Sequence, residues 1–291
     1  MPTVRFKQVD VFTRTPFLGN PVAVVLDAEN LHAEQMQRIA AWTNLSETTY
    51  VLPPSSNDAD YCLKIFTPKQ ELPFAGHPTI GSAHAVLESG FATAHNGHLR
   101  QECLAGIIDL TVEQTENGQL IFLATPKAKI VALDAVDTQS LAAALGLANA
   151  LTEPALRIDV GVVWLIANLG SAETVAMVEP NLEHVRKIST AHQAAGVTVF
   201  GRARDGASKM QVRSFAPALG VAEDPVCGSG NASVAAYMVH TGSLNEIGSE
   251  YSARQGMQIG RDGHVAVTVR DGVIRIGGHA VTCVTGMLRL D

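Results

Sequence analysis

The stretch KIFTPKQELPFAGHPT, residues 64–79, recurs in altered form as RSFAPALGVAEDPVCGSGN, residues 213–231. Both begin basic-x-Phe-x-Pro, with Lys64, Phe66 and Pro68 against Arg213, Phe215 and Pro217. The second copy inserts a short extra segment, and both then run Glu-x-Pro-x-small-Gly. Glu71, Pro73, Ala75 and Gly76 match Glu223, Pro225, Cys227 and Gly228. Upstream, QRIAAWTNLSETTYVL can be laid against RKISTAHQAAGVTVF, which pairs Arg38-Ile39 with Lys187-Ile188 and Glu47 with Gly196. Phe-x-Pro and Pro-x-x-Gly are common loop punctuation when met singly. Their ordered agreement across strand, loop and helix is what an internal duplication produces.

Each copy predicts the same local order. YCLKIF reads as a strand and GHPTIGSAHAVLES as a helix bounded by Gly76 and Gly90, with Pro78 suited to its first turn. The second copy leads likewise into NASVAAYMVH. TVRFKQVDVF, VAVVLD and TTYVL read as strands, and the segment from Leu31 to Trp42 as a helix. After about residue 127 the pattern restarts: LAAALGL helical, VVWLIANL strand, NLEHVRKI helical, VTVF strand. Asn-Gly and Asp-Gly pairs mark hairpin turns. Strands and helices in this order predict an α+β chain of two similar domains. The first spans residues 1–127 and the second 128–276, with residues 277–291 able to return to the first.

A duplicated loop that delivers a helix N-terminus matters chemically, because backbone N–H groups and the helix dipole there attract anions. Two such loops, around Gly76 and around Gly228 and Gly230, suggest a cradle for a small carboxylate. The positions at which the copies differ then carry the chemistry. Glu47 is either a solvated loop carboxylate or, folded inward, a proton carrier with a raised pKa. His77 either starts its helix or shares a proton with substrate. Asp224 caps the turn before Pro225, or accepts from a substrate amine or orients His77. Ser229 is an N-cap or a ligand for a substrate oxygen. Cys227 is a base whose pKa the helix N-terminus lowers, or a packing thiol. Its counterpart Ala75 leaves a two-thiol racemase without its second carrier.

Composition narrows the partners. The chain has 291 residues and a formal charge of -7, with no run of Lys or Arg, which argues against nucleic acid and anionic membranes. The N-terminal MPTVRFKQVDVF lacks the apolar core of a signal peptide, and VGVVWLIANLG is too short to span a bilayer. Four scattered cysteines without a C-x-x-C pair fit a reducing cytoplasm and offer no zinc site. His95 and His98 flank an Asn-Gly turn without supporting ligands, so no metal is expected.

VDVFTRTPFLGNPVAVVLDA, NLSETTYVLP, FTPKQELPFAGHPTIG and FAPALGVAEDPVCGSGNAS together resemble the PhzF-like, phenazine-biosynthesis-like family, over residues 9–234. The resemblance implies a diaminopimelate epimerase-like fold, in which two similar α+β domains each wrap a mixed sheet around a central helix, with the active site between them. It implies a cofactor-free isomerase, of a family whose reaction on a dihydro-hydroxyanthranilic acid uses a glutamate to move a proton between ring carbons. That glutamate falls on Glu47, and its partner positions fall on His77, Asp224 and Ser229. The racemases of this fold carry Cys-Gly-His and Cys-Gly-Thr or Cys-Gly-Ser loops; here they read AGH and CGS. Cys227 stands where the family usually has threonine. Three readings stay open: a proton-transfer isomerase on a small carboxylate, an amino- or hydroxy-acid epimerase using Cys227, and a non-catalytic binding protein on an isomerase scaffold. A homodimer is plausible for such a fold.

Overall fold

The computed structural model describes residues 3–204 and 206–290. The outermost ends of the two expected domain spans, residues 1–2 and 291, lie outside the described residues, as does residue 205. The chain forms two compact units, Met1–Leu123 with Gly277–Asp291, and Ala124–Ile276. No helix among the described residues is long and apolar enough to cross a membrane.

The first unit contains β1 (Thr3–Val11), β2 (Asn20–Val25), α1 (Ala33–Thr43), β3 (Thr48–Leu52), β4 (Tyr61–Phe66), β5 (Glu71–Leu72), α2 (Gly76–Ser89), β6 (His98–Cys103), β7 (Gly106–Thr115) and β8 (Gly118–Ala124). The second contains β9 (Lys129–Ala132), α3 (Ala135–Ala144), β10 (Leu156–Asp159), β11 (Val163–Ser171), α4 (Ala172–Ala176), α5 (Leu182–Ala191), β12 (Gly196–Arg202) and β13 (Met210–Ala216). It continues with β14 (Val221–Asp224), α6 (Gly228–Thr241), α7 (Leu244–Ile247), β15 (Glu250–Gln255), β16 (Gly263–Arg270) and β17 (Val273–Gly278). β18 (Ala280–Arg289) closes the chain.

Strand pairing repeats from one unit to the other. In the first, β1–β2 is antiparallel, β2–β3 parallel, β3–β4 and β4–β5 antiparallel, β4–β6 parallel and β6–β7 antiparallel. In the second, β10 to β16 follow the same series. Even the register agrees: Thr48 faces Phe66 as Val197 faces Phe215, so Glu47 and Gly196 occupy corresponding places just before them. The duplication read from the motifs is thus present in the hydrogen-bond ladder. β18 pairs with β1 along its length, and β9 pairs with β10.

Each sheet curls around one helix. α2 buries Pro78 through Ala83 and then Ala85 and Val86, and α6 buries every residue from Gly230 to Met238. A helix buried at consecutive positions is covered on all sides, so its buried positions are uncharged and rich in small residues rather than striped. Gly81 shows why small residues are needed: a Cβ there would lie 2.5 Å from a Val22 methyl and 2.8 Å from one of Val11. The opposite faces of the sheets pack on amphipathic helices. Met36 and Ala40 of α1 join Val4, Tyr50 and Phe66 in one core, and Leu141, Val185 and Ile188 join Val197, Val199 and Phe215 in the other.

Local expectations shift in three places. The helix expected from Leu31 starts at Ala33, after a turn of 3-10 helix at Ala28–Asn30. The alternation in β1 changes phase because the register against β18 shifts between Gln8 and Val9. The second central helix starts at Gly228, ahead of the Asn231 at which its apolar run begins.

Candidate active site

Glu47 is positioned by the junction of α1 and β3. α1 ends on Asn44 in the left-handed region, with φ 54°. The Thr43 and Thr48 hydroxyls meet across the connection at 2.7 Å. The Glu47 carbonyl accepts from the Ala23 N–H at 3.4 Å, which prolongs the β2–β3 ladder by one residue. The backbone is held on both sides, and the side chain turns inward to 15% exposure. Its Oε2 lies 3.4 Å from Nε2 of His77, whose side chain is 11% exposed. Neither atom touches solvent. His77 is the second residue of α2, whose N-cap Ala75 offers no side-chain acceptor. Gly76 has open space where a Cβ would stand. Burial pushes the Glu47 carboxyl above its ordinary pKa, against a smaller pull downward from a hydrogen bond to the Ser46 side chain. Taking a carboxylate out of water disfavours its charged form, which is how proteins prepare an acid that titrates nearer neutrality.

In the second unit, Asp224, Cys227, Gly228, Ser229 and Gly230 lie together on the loop entering α6. Asp224 Oδ1 accepts from the Val226 N–H at 3.1 Å, the tight turn expected around Pro225. Gln255 Nε2 donates to the Asp224 carbonyl at 2.9 Å, and Asn231 Nδ2 donates both to Gln255 Oε1 at 3.0 Å and to the Cys227 carbonyl at 2.9 Å. These amides fix the loop against β15. Beside it, Arg213 and Glu223 form a forked ion pair with both contacts at 2.9 Å and side chains only 6% and 9% exposed.

One alternative at each of two residues of this loop falls away. The N-cap of α6 is Cys227, whose Sγ accepts from the Gly230 N–H at 3.2 Å; Ser229 lies inside the first turn and does not cap. Its hydroxyl instead accepts from Nε1 of Trp164 at 3.0 Å. The hydrogen bond from the Gly230 N–H at the helix terminus pulls the Cys227 pKa down, but it is outweighed. The residue is 4% exposed, burial pushes the thiol well up, and the nearby Asp224 carboxylate adds to the shift. Desolvation here outweighs the helix dipole.

The residues singled out by sequence therefore form two groups, each within one unit: Glu47, His77 and Gly76, and Asp224, Cys227, Gly228, Ser229 and Gly230. His95 and His98 stay apart from both, flanking a turn whose Asn96 and Gly97 have φ 53° and 78°. A cavity of about 670 Å³ in the second unit, bordered by Arg202, Arg204 and Lys209, contains none of them. Sequence reasoning missed Trp164, Asn231 and Gln255. For Trp164 a signal existed in the duplication, since the ladder makes it the counterpart of Val22, one strand away from Gly196.

Comparison with known proteins adds to this geometry. The model of the family described as phenazine biosynthesis-like protein matches residues 9–286. Antisense-enhancing sequence 1 of Schizosaccharomyces pombe is 40% identical over 97% of each chain. Trans-2,3-dihydro-3-hydroxyanthranilate isomerase of Pseudomonas chlororaphis is 37% identical over 87% of this chain and 86% of its own. Among solved structures, the PhzF-family phenazine biosynthesis protein of Bacillus anthracis superposes with a TM-score of 0.87 at 28% identity, covering all of both chains. A hydroxyproline epimerase from Agrobacterium vitis shares the fold, with a TM-score of 0.63 at 16% identity over 99% of this chain and 93% of its own.

Proposed function

The chain belongs to the phenazine biosynthesis-like family and is an isomerase, and from that premise we propose that it moves a proton between two carbons of a small carboxylate, without a cofactor, using Glu47. The observation that carries this reading is the buried pair of Glu47 and His77, 3.4 Å apart, with the carboxyl pKa raised by burial. In the proposed reaction the Glu47 carboxylate takes a proton from a carbon next to a double bond. The electron pair shifts along the conjugated system, and the protonated Glu47 returns the proton to another carbon of it. One group can act as base and then acid if its pKa lies near the working pH and water is kept away. His77 steadies the carboxylate while its charge changes. Asp224 and Ser229 are assigned to holding the amine and carboxylate of the substrate, with the N–H group of Gly228 beside them, while the Gly230 N–H is taken by Cys227 Sγ.

The epimerase reading finds less support. A thiol that is buried, pushed up in pKa and engaged as a helix cap is a poor base, and Ala75 supplies no second one.

The test uses trans-2,3-dihydro-3-hydroxyanthranilate, the substrate named for the Pseudomonas relative, with a panel of amino and hydroxy acids, followed by proton NMR in deuterated water. A moved double bond is expected. Deuterium at a stereocentre with loss of optical rotation would instead favour epimerisation, and binding without turnover would favour a binding protein. Glu47→Gln is expected to lower kcat by about 10²–10⁴-fold with the fold retained; a fully active variant overturns the assignment.

A further inference from the structure

Among the described residues the Ser229 hydroxyl has two hydrogen-bond neighbours, and the nearer one can only donate to it. Trp164 Nε1 donates to its oxygen at 3.0 Å, and Cys227 Sγ lies 3.6 Å away. An indole N–H is a donor only, so the hydroxyl cannot give its proton back to Trp164. The sulfur is a weak acceptor and already takes the Gly230 N–H. The hydroxyl proton is thus directed away from the indole, and the sulfur, 3.6 Å off and so engaged, competes for it only weakly. Trp164 is itself buried, 3% exposed.

The duplication shows that this arrangement belongs to one unit alone. Trp164 faces Gly196 across the parallel β11–β12 ladder, and Gly196 corresponds to Glu47. A Cβ at Gly196 would stand 2.8 Å from Cζ3 of the Trp164 ring and 2.0 Å from the Phe215 carbonyl oxygen. No glutamate can therefore occupy that place in the second unit. In the first unit the residue at Trp164's place is Val22, whose side chain has no polar hydrogen.

We propose that Trp164 is a positioning residue that holds the Ser229 hydroxyl as an obligate donor toward the substrate carboxylate. The proposal rests on the reading of Ser229 as a carboxylate ligand given above. It implies that Trp164 acts through binding and leaves the proton transfer at Glu47 untouched.

The test replaces the indole N–H without changing the shape of the ring. Trp42 is the other tryptophan and is 76% exposed. A Trp42→Phe background grown with β-(3-benzothienyl)alanine therefore alters position 164 alone. Turnover of trans-2,3-dihydro-3-hydroxyanthranilate is measured for this protein, for Trp164→Phe, for Ser229→Ala and for the analogue combined with Ser229→Ala, with melting temperatures alongside. The analogue is expected to raise KM by about three- to tenfold, part of the worth of a hydrogen bond to a charged group, with kcat within about twofold and melting unchanged. Combined with Ser229→Ala it should add nothing, because both act on one contact. A parental KM with the analogue, while Ser229→Ala raises KM, overturns the role of Trp164 and leaves the reading of Ser229 standing. A parental KM for Ser229→Ala overturns both.

Discussion

At the residue scale, burial moves Glu47 and Cys227 in the same direction, with opposite chemical results. Both are acids taken out of water, and both have raised pKa values. For a carboxyl this brings titration toward neutrality; for a thiol it removes the thiolate from the accessible range. Two measurements follow. Iodoacetamide at pH 8 should modify Cys227 last of the four cysteines, since it alone is buried and only the thiolate reacts; rapid labelling there would revive a thiol base. The sign for Glu47 comes from linkage. An acid whose folded pKa lies above its unfolded value holds its proton more tightly in the folded chain, so ionising it costs stability. That cost is absent below the ordinary carboxyl range and grows as pH rises through it, up to the folded pKa. Glu47→Gln should therefore melt with the parent near pH 4 and above it at pH 8. A tenfold change in proton affinity is worth about 1.4 kcal/mol, or about 2–4 °C for a chain of this order of size. A difference in melting that does not change with pH would show that Glu47 is not held in this state.

At the element scale, the hairpin of β13 and β14 aims the loop that starts α6, and a buried ion pair holds it. Arg213 is fully engaged: it pairs with Glu223, donates to the Val178 carbonyl at 2.7 Å and the Val175 carbonyl at 3.2 Å, and lies 4.9 Å from the centre of the Phe215 ring. Removing one partner strands a charge in the interior, so Glu223→Ala should cost about 3–5 kcal/mol in urea unfolding. A loss within about 1 kcal/mol would mean that water reaches the pair. The motifs made this part of the fold legible, because basic-x-Phe-x-Pro and Glu-x-Pro-x-small-Gly fix a strand, a turn and a helix start in order. The capping of α6 was not legible. A serine is the customary cap, and only the folded turn places the cysteine sulfur on the Gly230 N–H instead. Nor could sequence decide the burial of Glu47. That depends on the ladder contact with Ala23, which brings separate segments together.

At the scale of the whole molecule, the chain path ties the two copies to each other. β9 follows the last strand of the first copy yet pairs with β10, and β18 follows the last strand of the second copy yet pairs with β1. Each unit's ladder is thus completed by a strand continuous with the other copy. Such a connection resists reading from sequence, because the apolar alternation of a strand says which face is buried and not which neighbour it joins. β18 lies opposite all nine residues of β1, from Thr3 to Val11. Its Thr282 hydroxyl also donates to Glu88 at 2.7 Å and meets His84 at 3.2 Å, both on α2. A chain ended after Gly278 would leave the backbone of β1 without those partners and uncover the side of α2 that β18 packs against. Unit two would keep its own closing strand, β9. Hydrogen exchange read by mass spectrometry should then show protection lost over β1 and α2 and kept over β12 and α6, because stability is distributed in cooperative units. Retained protection of β1 would show that β18 is dispensable, and uniform loss would show that the two copies fold only together.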